Sequence, residues 1–487
     1  MRLSVTKRRA TFALLAILFA GCAPTSEPTG AWAKLWNFAV GPKYRQPGFD
    51  APPRFRNQLG PAEAASLADL PWWRVFTDKK LDHLISQALA NNYDLQIAVS
   101  RVEQSRALIG VAASQFFPQA EYQGQAAREK VFFPGFPANP LINSFSGVLS
   151  VSWEIDVWGR IRHSTEAARA DFLATEDARR GVMLTLVSNV AAAYFELMEL
   201  DRELRIAQDS SETYSRTFKY FNQRYLGGTD TKLSTSRAEA NLELSHATIA
   251  DLERQIAQQE DAISVFLGTT PTAIERAELP VNLIVQMPPG LTTNLLKQRP
   301  DIMQAEHNMV SANAQVGVAV ANFFPTIGLA ALYGGQGVHI GDVVKNNFSV
   351  WNVAGNVTGP ILQGGKIYQS YRAQKAFWDE TIEAYQGTIV ESFREVSDAL
   401  VAQDKLTDRR VALEKQVAAL NEAVRLSLDR YNTGLANYFE VLDAEQQLYP
   451  AEDALAQTQR DQLLAVVSLY RALGGGWNLT DREWTAH

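Results

Sequence analysis

The chain has 487 residues, a net charge of −7, 46% apolar residues, one cysteine and six scattered histidines. Charges of both signs are dispersed, with no long basic block after the N-terminus, which argues against nucleic acid as a partner. A single cysteine excludes an intrachain disulfide, and no histidine pair has metal-ligand spacing. With no phosphate-binding glycine loop and no nucleophile elbow, neither metal, cofactor nor catalysis is expected.

The chain opens with Lys7-Arg8-Arg9, then the apolar run "ATFALLAILFA", then Gly21-Cys22. A basic start, a short apolar core and small residues before a cut site read as a bacterial secretory signal over 1–21. The run is too short to cross a bilayer as a helix. "FAGC" resembles a lipoprotein processing box, with Phe19 where Leu is usual, so Cys22 is the expected lipidation site. Residues 22–70, rich in Pro, Gly and small side chains, read as an acylated N-terminal tether.

From residue 71 helical periodicity dominates. No Gly or Pro falls between Gly181 and Gly227, and only Gly387 interrupts the stretch from Gly365 to Gly434. These gaps predict two very long helices, 161–226 and 366–433, each about 100 Å at 1.5 Å per residue. Helices of that length need a lateral partner throughout. Leu406, Arg410, Leu413, Val417, Leu420, Val424, Ser427 and Tyr431 form a coiled-coil seam at spacings of three and four. The same seam recurs in the first half as Leu200, Leu204, Ala207, Ser211, Tyr214, Phe218, Phe221 and Tyr225. Shorter helices are expected at 81–117, 230–267, 293–324 and 436–473, the last with a kink at Pro450. Pro118 and Pro325, Gly181 and Gly387, and Gly268 and Gly474 share a shift of about 206 residues, which indicates a two-fold internal repeat. The expected division is a first repeat at 71–268, an equatorial connector at 269–292, a second repeat at 293–474 and a tail at 475–487.

Each repeat also holds a segment of period two. In "NSFSGVLSVSWEID", Phe145, Leu149, Val151, Trp153 and Ile155 alternate with serines and Glu154. "PTIGLAALYG" and "FSVWNVAGNV" behave alike, so β-hairpins are expected at 119–156 and 326–361. The motif Phe116-Phe117-Pro118, repeated as Phe323-Phe324-Pro325, marks where a helix must stop and a strand begin. These four phenylalanines, with Trp153 and Trp158, are candidate membrane-interface aromatics. Packing at a hinge would explain the phenylalanines equally, and "DVWGR" also reads as a strand-to-helix elbow easing its bend at Gly159.

Four strands cannot close a barrel, and an open edge is not tolerated in lipid, so the chain must oligomerise. Two copies would supply eight strands, whose interior fills with side chains, and three would supply twelve, wide enough for the water-filled passage that the small and polar inner faces favour. At this point the chain resembles the outer-membrane efflux lipoproteins of the TolC/OprM kind, the NodT-type outer membrane factors. The matching stretches are "GPKYRQP" (41–47), "WWRVFTDKKLDHLISQALANNYDLQIA" (72–98), "SWEIDVWGRIR" (152–162), "LLKQRPDIMQAE" (295–306) and "RYNTGLANYFEVLDAEQQL" (430–448). The resemblance implies a homotrimer with a twelve-stranded outer-membrane β-barrel, four strands per chain, continued by a long periplasmic α-helical barrel. It implies docking to a periplasmic membrane-fusion adaptor and an inner-membrane transporter of the resistance–nodulation–division (RND) type, contact with outer-membrane lipid, and no chemistry. The expected function is the exit duct of a tripartite efflux pump; a type I protein secretion channel is the alternative. A soluble periplasmic adaptor would lack the amphipathic hairpins.

The turn "RYNTGLANYFEVLD" carries the last expectation. Gly434 ends the long helix, Asn437 caps the next, and Glu440 stands at the capping-box position. Glu440 and Asp443 would then only favour a helix N-terminus. The resemblance places Tyr431, Glu440 and Asp443 at a periplasmic gate, with Phe439 as an apolar plug. Ala436 and Gln446 stand where relatives carry arginine partners, so the ion pairs that lock those relatives are not expected here.

Overall fold

The computed structural model describes residues 39–56, 58, 66–130, 141–279, 290, 292–480 and 483–484. The expected signal and Cys22 lie outside the described residues. Among the described residues two compact units emerge, one falling within 1–44, 109–168 and 312–377, the other within 45–108, 169–311 and 378–487.

The first unit holds a four-stranded antiparallel sheet in the order β1 (Gln119–Lys130), β2 (Leu141–Ile155), β3 (Thr326–Gly337), β4 (Ser349–Thr358). All four lie inside the two alternating segments. The register pairs Tyr122 with Leu149, Leu149 with Tyr333, and Tyr333 with Trp351. Side chains alternate across a strand, so these residues share one face with Trp153, Leu329, Val353 and Val357. That face is apolar yet open: Tyr122 is 90% and Trp351 73% exposed. The other face carries Glu121, Gln123, Gln125, Ser146, Ser150, Ser152, Asn352 and Asn356. Among the described residues β1 and β4 each have one strand neighbour, so both outer edges keep unpaired backbone groups.

The sheet leads into a helix at an elbow that "DVWGR" builds. Asp156 accepts from the backbone N–H groups of Ile161 (3.1 Å) and Arg162 (3.0 Å), and from the Arg162 guanidinium. An acceptor there satisfies donors that the first turn of a helix leaves unpaired. Gly159 has φ +85°, and a Cβ on it would sit 2.7 Å from that of Ala39. Only glycine fits both conditions.

The expected helix 81–117 is two: α1 (Lys79–Asn91) and α2 (Tyr93–Ser114). α3 (Arg160–Leu226) and α4 (Lys232–Phe266) complete the first repeat. The second repeat runs α5 (Leu295–Gln298), α6 (Pro300–Ala321), α7 (Lys366–Asn432) and α8 (Tyr438–Ala472). α3 and α7 are each 67 residues long. α8 continues as helix through Pro450. The α7 seam is at least half-buried from Leu406 to Tyr431, whereas its α3 counterpart ends at Phe221 because Tyr225 is exposed.

The unexpected breaks at Asn92 and Arg299 have one cause, visible in the second unit. The Asn92 amide donates to the Phe266 carbonyl at the end of α4 (3.0 Å), and Arg299 donates to the Ala472 carbonyl at the end of α8 (2.7 Å). Gly268 and Gly474, both left-handed, fit over the same breaks; a Cβ would lie 2.5 Å from the Asn91 oxygen and 2.7 Å from the Gln298 oxygen. Each repeat thus interrupts one helix to satisfy the C-terminus of another.

Candidate functional site: the apolar sheet face and the turn beside α8

Trp153 and Trp158 tie the two Phe-Phe-Pro motifs to the sheet. The Trp153 indole donates to the Phe116 carbonyl (2.8 Å), and the Trp158 indole to the Pro325 carbonyl (2.7 Å). Trp158 also stacks on Phe324 at 4.6 Å, and Phe323 meets Tyr371 edge-on at 6.1 Å. Phe117 and Phe323 remain exposed. Phe324 of the second pair thus packs on Trp158 while Phe323 stays exposed, and both indole N–H groups are satisfied.

In the second unit, the α3–α4 and α7–α8 turns are built alike. Gly228 and Gly434 are left-handed, and the N–H groups of Thr229 and Leu435 reach back to the Arg224 and Arg430 carbonyls (2.9 Å each). This is a Schellman-type stop, which spends orphan carbonyls of the long helices. The Asn437 side chain caps α8 by accepting from the Phe439 N–H (2.9 Å). Glu440 does not close a capping box; it pairs with Arg430 at 3.4 Å. Asp443 accepts from Gln447 (2.9 Å). Glu440 therefore has its arginine partner on α7.

The strongest local contacts are aromatic. The Tyr431 hydroxyl donates to Tyr220, which also accepts from Arg224 (2.9 Å). The Tyr431 ring meets Tyr220 edge-on at 5.9 Å and Tyr438 at 5.1 Å, and Tyr438 meets Phe221 at 5.3 Å. Burial, reinforced by the bond to Tyr220, pushes the Tyr431 phenol up. Arg224 lies 3.5 Å from Asp230, whose carboxyl is held below its usual range by the Thr231 N–H and the Ser234 hydroxyl. Tyr220, Asp230, Tyr431 and Phe439 line a cavity of 740 Å³. Of the expected gate residues, Tyr431 and Phe439 border this cavity, while Glu440 and Asp443 stand on the exposed first turns of α8. Tyr220, Arg224 and Arg430 were missed. The repeat carried a signal for two of them, since Arg-Tyr precedes the glycine stop in both halves.

Between α3 and α8 lies a line of buried acids. Burial pushes Glu199 up to about 8, helped by Glu203 and opposed by Arg460. Burial likewise pushes Glu445 up to about 7, against Arg216, and Asp453 up to about 7, helped by Glu203 and Glu452. A carboxyl raised on folding stabilises while neutral: its contribution is complete below the ordinary carboxylate range and is lost as pH rises through the folded value. The apparent melting temperature is therefore expected to fall from about pH 4.5 to about pH 8, between the ordinary carboxylate value and the folded values above. Glu445→Gln should match the parent in acid and exceed it at the alkaline end. Identical pH profiles for the two proteins would refute this.

An open apolar sheet face backed by a polar one, with helices about 100 Å long, defines an outer-membrane channel protein. The chain belongs to the outer membrane efflux protein family, whose sequence profile matches residues 84–269 and 291–475. It is 30% identical over 447 residues to the cation efflux system protein CusC of Escherichia coli, covering 91% of this chain and 97% of that one. It is 30% identical over 488 residues to the toluene efflux pump outer membrane protein TtgC of Pseudomonas putida, covering 97% and 96%. The crystal structure of the open state of the Neisseria gonorrhoeae MtrE outer membrane channel superposes with a TM-score of 0.80 at 30% identity, covering 90% of this chain and 98% of that one. The fold is that of the trimeric outer-membrane channels, in which each chain gives four strands to a β-barrel and its helices to an α-helical barrel. The protein resides in the outer membrane.

Proposed function

We propose that three copies of this chain close a twelve-stranded barrel and form the exit duct of a tripartite efflux pump, receiving cargo from a periplasmic adaptor and an inner-membrane RND-type transporter. The duct conducts passively and performs no catalysis. The observation carrying this reading is the sheet itself: apolar on one face, polar on the other, with unpaired edges at β1 and β4. Lipid does not tolerate unpaired edges, so joining β4 of one copy to β1 of the next removes the cost. Mass measurement in detergent should give three chains. A stable monomer or dimer with channel conductance would overturn the closure. CusC is named for cations and TtgC for toluene at the same identity, so the cargo class is not carried over from either.

The turn between α7 and α8 is the periplasmic gate in this reading. Threefold symmetry brings three copies of Glu440 and Asp443 around one axis, with Phe439 beside them as the apolar plug. Cys22 is the acylation site. Its replacement in Cys22→Ser should abolish incorporation of labelled fatty acid, and a parent protein that takes up none would refute the lipid anchor.

A further inference from the structure

The connection between β3 and β4 does not stand away from the sheet. Its short helical turn, Ile340–Val344, lies on the ends of β2 and β3. Glycines make the space: a Cβ at Gly335 would lie 1.9 Å from the Val343 oxygen, one at Gly337 2.4 Å from the Asp342 Cβ, and one at Gly147 3.0 Å from a Val343 methyl. Gly147 pairs with Gly335, next along the strands to the Leu149–Tyr333 pair. Those three glycines therefore belong to the apolar face, and the turn lies on that face. It sits on the two central strands, clear of the edges that closure uses.

The outer side of this turn is apolar where a soluble loop would be polar. Val344 is 86% and Ile340 75% exposed, with Val338 and Phe348 exposed beside them. Asp342 is buried beneath, bonded to the Lys345 ammonium (2.7 Å) and the His339 N–H (3.2 Å). The same end of the same face also carries Arg128 and Lys130, whose strand positions match those of Tyr122 and Gly124. Glu129 points to the polar face. Exposed aliphatics, continuous with a lipid-facing surface and bordered by Lys345, Arg128 and Lys130, match the acyl–phosphate boundary of a bilayer.

We propose that the β3–β4 turn is a lipid-docking element: Ile340 and Val344 enter the outer leaflet while Lys345, Arg128 and Lys130 hold phosphate groups of its lipids. This rests on the barrel reading but not on export. A bimane label is placed at Ile340→Cys, Val344→Cys or Ser146→Cys in a Cys22→Ser background. Ser146 is the control on the polar face. Each trimer is reconstituted in phosphatidylethanolamine vesicles, with or without phosphatidylglycerol, that contain phospholipid with a doxyl group near the glycerol. Labels at 340 and 344 should be quenched several-fold more than the label at 146, and the anionic lipid should increase that quenching. Lys345→Glu with Arg128→Glu should remove the increase. Quenching at 340 and 344 by aqueous iodide but not by doxyl lipid overturns the docking. Quenching that ignores both phosphatidylglycerol and the Lys345→Glu, Arg128→Glu reversal overturns the phosphate contact. Single-channel conductance of the same samples reports assembly, so a conducting trimer with a water-exposed turn refutes this inference alone.

Discussion

Tyr431→Ala raises the open fraction of single channels in planar bilayers by roughly one to two orders of magnitude if the α7–α8 turn is the gate. The size follows from what the residue holds. Its ring makes two edge-on contacts, with Tyr220 and Tyr438, and its hydroxyl bonds Tyr220. Aromatic pairs contribute about 0.5–1.5 kcal/mol each beyond burial, and a hydrogen bond about 1 kcal/mol. Losing about 2–3 kcal/mol of this shifts a closed–open equilibrium by roughly 30- to 150-fold. The Arg430–Glu440 pair is a weaker hold. Its side chains are about half-exposed, and such pairs contribute at most about 1 kcal/mol before salt screens them. Glu440→Ala with Asp443→Ala is therefore expected to relieve block by divalent cations more than it changes closure. Tyr431→Phe keeps both ring contacts and should fall between parent and alanine. If Tyr431→Ala conducts as the parent does while remaining trimeric, the aromatic contacts are packing and not a latch.

Arg299→Ala lowers the apparent melting temperature by roughly 3–5 °C, more than Asn92→Ala at the equivalent break. The Arg299 side chain is 8% exposed and donates to Asp301 (2.6 Å), Glu395 (2.7 Å) and the Ala472 carbonyl (2.7 Å). Its removal leaves Glu395 and the end of α8 without that donor together. Breaking a buried ion pair from one side costs about 3–5 kcal/mol. Asn92 bonds the Phe266 carbonyl and the Leu95 N–H through a neutral amide, where each bond contributes about 1 kcal/mol. Arg299→Lys retains charge without the planar fork and should recover only part of the loss. Equal melting of the two alanine variants would refute the assignment of Arg299 as the stronger tie.

The long helices and the strands were legible in the chain because their signals are local. A helix bonds each residue to one four positions away and a strand alternates every second residue, so Gly and Pro spacing and apolar period report both directly. That is why α3, α7 and the four strands lie where period and punctuation place them. The repeat was legible too, since glycine stops such as Gly228 and Gly434 carry a backbone requirement in the residue itself. What the tertiary structure alone decided lies between distant segments. The breaks at Asn92 and Arg299 serve carbonyls at Phe266 and Ala472, far along the chain. Glu440 stands at a capping-box position, yet its side chain turns to Arg430 because α7 passes close by. Tyr220 and Tyr431 become partners only when α3 lies alongside α7 and α8 in one register. No local period encodes such a register; it follows from packing the seams together, which sets which side chains meet at the turns.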